Sequence, residues 1–346
     1  MALLDFFGFD HLQASTAPDP ALYPNCSQST ASGWTTGTGL LGGKSLRSNS
    51  VARNFHWDKG VNYSTLIAAV RFQTNSVAAS AVQDILVFYD GASIQCGISI
   101  NAVGKLIFWR GTNATVIATG TTTLSPNSWY FLEAKVTFHN TTGAYEIRLG
   151  GTSEMSGSGA NTRNTANNQA SGIRWISNAA TTTMTMFDID DIYIEDTSGS
   201  APYADFLGVI RVETAFVTTN DSVQWTPLSS TNASNVDEVQ VDDDTTYNSD
   251  ATAGHIDLFN HGALSSTPVT IFSVAIRSRA RKDDVTARTY RNKLKSSTTV
   301  SNGATATLDT TYKWIRDQFD TDPNTAAAWA TASAVNNSKI GYEVVS

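Results

Sequence analysis

Trp129–Gly151 reads WYFLEAKVTFHNTTGAYEIRLGG, and its alternation decides the fold class. Successive side chains of an extended strand point to opposite faces, so Tyr130, Leu132, Ala134, Val136 and Phe138 share one face. Glu133, Lys135, Thr137 and His139 share the other. The first face predicts core and the second predicts water. Asn140–Gly143 follows as a turn, with Gly143 free to take a positive φ, and Tyr145, Ile147 and Leu149 resume the alternation on the return. The stretch predicts an antiparallel hairpin of a sandwich.

Working outward, short β-type runs recur over 45–57, 63–74, 83–91, 94–111 and 115–124, broken by Gly, Asn or Ser-Pro signals and with no helical period between them. Such spacing predicts a sandwich, jelly roll or barrel. Residues 152–172 are polar and Gly-rich and read as a long loop or flap, after which 174–178 and 183–196 close the sheet. The small residues ending at Pro202 predict a linker over 198–204, between a first domain at 1–197 and a second at 205–346. In the second part, 206–217, 270–284, 311–319 and 340–346 read as strands, and Asp322–Trp329 as a short helix, Pro323 suiting its first turn.

The chain has 346 residues, 41% of them hydrophobic and 10% aromatic, which is enough for two cores. Only 16% are charged, against roughly 25% in average soluble proteins. A net charge of −8 argues against nucleic acid, whose phosphates call for a basic stripe. No run approaches the roughly 18 apolar residues of a membrane helix, so neither nucleic acid nor membrane is expected as a partner. The start, MALLDFFGFDHLQ, lacks a basic n-region and reads as a first strand rather than a signal peptide. Cys26 and Cys96 are too few for a disulfide framework and read as buried or half-buried thiols.

MALLDFFGFDHL, GLLGGKSLRS at 39–48, WYFLEAKVTF with its hairpin, and MFDIDDIYIED at 186–196 together resemble the concanavalin-like, laminin-G-type jelly roll found in structural proteins of tailed bacteriophages. The later blocks FLGVIRVET, NVDEVQVDDDTTYNSDATAGHIDLF, SVAIRSRARKDD and DPNTAAAWATASAVNNSKIGYEVVS resemble a module carried by many such virion proteins, where Asp is common at the position held here by Val209. The resemblance implies an all-β chain: a jelly-roll sandwich followed by a second β-rich module with one or two short helices. It implies a non-enzymatic virion component assembled in the host cytoplasm, associated with a tail fibre, tail tip or baseplate. Its partners would be other virion proteins and further copies of itself, and its jelly roll would bind a bacterial surface glycan as host receptor. Two alternatives are a capsid decoration or head-fibre protein and a polysaccharide depolymerase.

Candidate sites follow from residue chemistry. No catalytic residue is expected. Asp188, Asp190, Asp191, Glu195 and Asp196 form the densest acidic group. Ideal alternation puts Asp188 and Asp190 on one face with Ile192 and Ile194, and Asp191 on the other with Ile189 and Tyr193. A retaining glycosidase of this fold carries paired Glu residues about 5 to 5.5 Å apart, which this strand lacks. Asp188 and Asp190 with loop carbonyls are instead candidate calcium ligands, calcium being the only cofactor considered. An aromatic platform beside polar residues suits carbohydrate, which singles out Trp109, Arg110 and Asn113, and Arg174 with Trp175. Asp242, Asp243 and Asp244 are candidate docking residues, and Arg277, Arg279 and Arg281 on one strand face are candidates to pair with acids of a neighbouring subunit. His255, Asp257 and His261 match no closed metal site.

Overall fold

The alternation of 129–151 becomes the centre of a two-sheet sandwich in the computed structural model, which describes residues 3–12, 23, 25–28, 34–40, 42–49, 53–77, 82–177 and 186–346. Leu41, 50–52 and 178–185, parts of the stretches quoted above, lie outside the described residues. The chain divides into two units, Met1–Val212 and Glu213–Ser346.

The first unit contains β1 (Leu3–Phe7), β2 (Cys26–Gln28), β3 (Trp34–Thr38), β4 (Lys44–Asn49), β5 (Arg53–Tyr63), β6 (Thr65–Thr74), β7 (Gln83–Asp90) and β8 (Ser93–Ile100). It continues with β9 (Lys105–Arg110), β10 (Val116–Thr123), β11 (Tyr130–Thr137), β12 (Gly143–Leu149), β13 (Thr152–Ala160), β14 (Ala170–Ser177) and β15 (Met186–Glu195). One sheet runs β13-β12-β11-β6-β15-β4-β3 with β1 also paired to β15, and the other runs β10-β9-β8-β7-β14-β5-β2. The expected all-β jelly-roll sandwich is what the chain forms. Leu132, Ala134 and Val136 of β11 face Phe55, Phe88, Ile98, Phe108 and Ile173 of the second sheet in one fully buried core. Each such side chain contributes roughly 1.5–3 kcal/mol through burial. Cys96 lies in this core and Cys26 is half-buried at its edge.

Three local expectations change. Gly143 does not take a positive φ; it opens β12, and a Cβ there would meet Thr162 Oγ1 at 2.3 Å, so close approach is what requires glycine. The polar stretch 152–172 is mostly strand, β13 pairing with β12 and β14 starting at Ala170, which leaves only 161–169 as a loop. The outer face of β11 is not uniformly wet. Phe131 and Tyr193 on that face need cover, and Tyr203, Phe206, Leu207 and Ile210 supply it by packing over Leu3, Ile67 and Ala69. Residues 198–204, expected as a linker, and 205–212, expected to open the second module, therefore belong to the first unit. Glu133 holds this strap, accepting from Gly208 N at 2.9 Å and from Tyr193 OH at 2.5 Å.

The second unit contains β16 (Val217–Ser222), β17 (Thr226–Pro227), β18 (Asn248–Ser249), β19 (Ile256–His261), β20 (Val274–Ala280), β21 (Thr289–Ser296), β22 (Thr299–Asn302), β23 (Ala306–Thr307), β24 (Lys313–Phe319), α1 (Ala332–Asn336) and β25 (Lys339–Val344). Its main sheet runs β16-β19-β25-β21-β22, with β23 on β21, beside a β20-β24 ribbon. Ile276 of the ribbon packs on Leu294 of the sheet with Trp329 and Val335. The helix lies later than expected. Asp322 accepts from Asn324 N at 2.9 Å and closes a turn, while Thr331 caps α1 by accepting from Ala334 N at 3.1 Å.

Candidate functional site

The outer face of the seven-stranded sheet carries an unusual group of side chains. On β5, Phe55 and Trp57 point into the core, so His56 and Asp58 point out; on β14, Ile173 and Trp175 point in and Arg174 points out. On β7, Phe88 points in while Val87 and Tyr89 lie outside with Ile107 and Trp109 of β9. Antiparallel register aligns these residues across the sheet: His56 opposite Arg174, Arg174 opposite Val87, Val87 opposite Gly97, and Gly97 opposite Trp109. In the next row Gly172 lies between Asp58 and Tyr89.

Two glycines shape the face. A Cβ on Gly172 would meet His56 Nε2 at 2.8 Å, and a Cβ on Gly97 would meet Trp109 Cζ2 at 2.5 Å. Both rings thus lie down over the sheet rather than standing off it. Arg174 sits between them, its guanidinium carbon 4.1 Å from the centre of the Tyr89 ring, and the His56 ring is 5.8 Å from the same ring. Arg174 Nε and His56 Nε2 are both buried with no hydrogen-bond partner. Burial, reinforced by the charge of Arg174 and opposed by Asp58, lowers the His56 pKa and favours neutral imidazole. Burial raises the Tyr89 pKa and keeps the phenol protonated.

One end of this face is fixed by the loop 161–169. Gln95 Nε2 donates to Thr165 Oγ1 and to the carbonyls of Asn167 and Gln169, while its Oε1 accepts from Asn164 N at 2.7 Å. Asp90 accepts from Thr165 Oγ1 at 2.7 Å and from Asn167 Nδ2 at 2.8 Å. Toward the other edge Trp109 Nε1 donates to Ser99 Oγ, which donates to Asp84 at 2.6 Å.

The carbohydrate candidates from the sequence are dispersed. Arg174 is on this face and half-buried. Trp109 shares the face but is 1% exposed, so it offers no open platform. Trp175 points the opposite way, into the core against Phe55. Arg110 ends β9, its N donating to Thr115 O, and Asn113 belongs to the β9–β10 turn. His56 and Tyr89 were missed, although the alternation in NFHWD and LVFYD places both outward.

The acidic strand β15 is built differently from its ideal alternation. Asp191 has a φ of 46° at a bulge between Asp190 and Tyr193, which shifts the register by one. Ile189, Ile192 and Ile194 therefore all enter the core, while Tyr193 turns to the outer face. Asp188 is held by Arg47 in a two-point ion pair, Nε to Oδ1 at 2.8 Å and Nη2 to Oδ2 at 2.9 Å. Arg71 holds Asp191 at 2.5 Å. Asp190, pushed well up by burial and then by the charge of Asp191, lines a small cleft with Asp10, Gly39, Gly43 and Arg211. Both oxygens of Asp188, expected with Asp190 as a calcium ligand, already accept from Arg47. Among the described residues no group of three or more His, Cys, Asp or Glu side chains has a metal-holding arrangement.

The docking candidates close on themselves. Asp243 accepts two hydrogen bonds from Arg279, at 2.7 and 3.0 Å, and Asp244 accepts from Arg281 at 2.8 Å and from Tyr312 OH at 2.9 Å. Asp242 accepts from Thr246 Oγ1 at 2.7 Å. Arg279 also stacks on Trp314 and Tyr312, and Arg277 on Trp314. The acid partners of Arg279 and Arg281 are thus in the same chain, where sequence had pointed to a neighbour. Asp257 is a buried acceptor for Gln224 N, Trp225 N and Asn232 Nδ2, and His255 and His261 bond separately to Asp250 and Ser338.

No family model and no curated protein matches this chain. Similar solved structures include an alginate lyase (9% identical, covering 55% of this chain and 96% of that one, TM-score 0.39). A cellulose-induced protein is 14% identical over 55% of this chain and 96% of its own, with a TM-score of 0.39. The fourth domain of an extracellular arabinanase from Geobacillus stearothermophilus, in complex with arabinotriose, is 16% identical over 56% of this chain and 92% of its own, with a TM-score of 0.40. At such scores the likeness says nothing of function.

Proposed function

We propose that this chain is a structural protein of a tailed-bacteriophage virion whose first unit binds a bacterial surface glycan without catalysing a reaction on it. The virion part of the reading is supported by the ordered sequence blocks in both halves of the chain. The glycan part rests on one observation: Arg174 and His56 lie side by side and half-buried on the outer face of the seven-stranded sheet, each with a buried nitrogen that has no partner. Buried polar groups are nearly always hydrogen-bonded, so two neighbouring exceptions on an outer face suit a polar ligand. The guanidinium of Arg174 lies over the Tyr89 ring, and Gly172 leaves room for the imidazole. Sugar hydroxyls and ring oxygens are the donors and acceptors such a face meets.

Recognition of this kind needs no reaction. Of the acids of β15, Asp188 is committed to Arg47, Asp191 to Arg71 and Asp190 to a backbone N–H group. A single small site binds a glycan weakly, on the order of millimolar, and several copies on one particle add roughly 10² to 10⁴ through avidity.

Two readouts test the proposal. Quantitative mass spectrometry of purified particles should find the chain in a few to a few dozen copies, and the isolated chain should bind capsular polysaccharide or lipopolysaccharide of the host. Hundreds of copies on the head would favour a decoration role, and release of reducing ends from the polysaccharide would replace binding with hydrolysis.

A further inference from the structure

We infer that the glycan bound at this face carries a carboxylate, as a uronate or sialate does, and that Arg174 is the residue that selects it. The inference rests on the glycan reading above and narrows it. Arg174 differs from the other well-placed arginines of the first unit. Arg47, Arg71 and Arg148 each hold a carboxylate of the chain, at 2.8, 2.5 and 2.7 Å. Arg174 holds none among the described residues; it lies over the ring of Tyr89, and its Nε is buried without a bond.

A half-buried cation without a counter-ion is costly, because the desolvation of its charge is not repaid. The nearby acids do not repay it. Asp84 accepts from Ser99 Oγ at 2.6 Å, and Asp58 accepts from Gly60 N at 2.7 Å. Neither forms an ion pair with Arg174. His56 stands opposite Arg174 in the ladder and, being neutral, adds a hydrogen-bonding nitrogen without adding repulsion. The guanidinium lies over the Tyr89 ring, and its planar fork of N–H groups matches the two oxygens of a carboxylate better than scattered hydroxyls. The stack on Tyr89 also lowers the entropy lost when the ligand is gripped.

The test uses the intact chain and matched polymers. Polygalacturonate and polysialate are titrated by calorimetry, each beside the same polymer after its carboxyl groups have been reduced to alcohols, with a panel of neutral host-type glycans alongside. The inference expects binding to at least one native acidic polymer, with about a tenfold or greater loss on carboxyl reduction and a similar loss in Arg174→Met. Arg174→Lys, which keeps the charge but not the fork, should fall between Met and wild type. Equal affinity for native and reduced polymer, or undiminished binding by Arg174→Met, overturns the carboxylate inference and leaves glycan binding standing. Binding to neutral glycans alone has the same consequence. Binding to none of the polymers removes both readings.

Discussion

Arg174 and Tyr89 come from neighbouring strands, β14 and β7, and meet with the guanidinium carbon 4.1 Å from the centre of the phenol ring. Sheet pairing, not sequence proximity, makes this contact, since Gly172 is the direct partner of Tyr89 and Arg174, two residues on, shares its face.

Replacing the ring tests whether that contact matters. Tyr89→Leu keeps an apolar side chain against Val87 and Ile107 but removes the cation–π contact, worth about 0.5–2 kcal/mol. Glycan affinity should fall by about 2- to 30-fold, read by calorimetry, while the cooperative unfolding transition persists. Unchanged affinity would show that Arg174 needs no such support.

The ion pair between Arg47 and Asp188 joins β4 to β15, and the Asp188 side chain is fully buried. Removing Arg47 leaves a buried carboxylate without a counter-ion, so Arg47→Met should destabilise the first unit by about 3 kcal/mol. The double variant Arg47→Met with Asp188→Asn should lose less than the sum of the two single changes. Denaturant titration of the four proteins measures that coupling; simple additivity would mean the pair is not a unit.

Glu195 gives a pH dependence of opposite sign to an ordinary ion-paired acid. Burial, followed by the charges of Asp196, Asp205 and Glu133, pushes its carboxyl up to about 8, and both its oxygens lack hydrogen-bond partners. Between the ordinary carboxylate value and about 8 the folded chain keeps a proton that the unfolded chain releases. The stability that Glu195 contributes is therefore full below the ordinary value and is lost as pH rises to about 8. Glu195→Gln should match wild type near pH 5 and exceed it near pH 9, by on the order of 2 kcal/mol or more. Thermal unfolding across that range checks the divergence, and parallel curves would contradict it.

Local alternation made much of the fold legible. Leu132, Ala134, Val136 and Phe138 are core because a strand has period two, and nothing later in the chain disturbs that run. Alternation failed where one residue was added: the bulge at Asp191 reverses the faces that follow, and no residue of MFDIDDIYIED announces a positive φ at that Asp rather than its neighbours. The site was half legible. Arg174 could be chosen as an outward cation beside aromatic residues, but its meeting with His56 and Tyr89 depends on strand order β5-β14-β7, whose pairings span more than 80 residues of sequence between Tyr89 and Gly172 or Arg174 and His56. The pairing of Arg279 with Asp243 was hidden for the same reason: complementary charge is visible in a sequence, whereas whether it closes within one chain or between two is set by tertiary structure.

The most direct test of the central claim is a glycan-array titration of the wild-type chain beside the double variant His56→Ala with Arg174→Ala. The account predicts that the wild type binds a restricted set of bacterial glycans and that the folded double variant loses them. Binding of the same set by both proteins, or no binding by the wild type at any glycan, would contradict it.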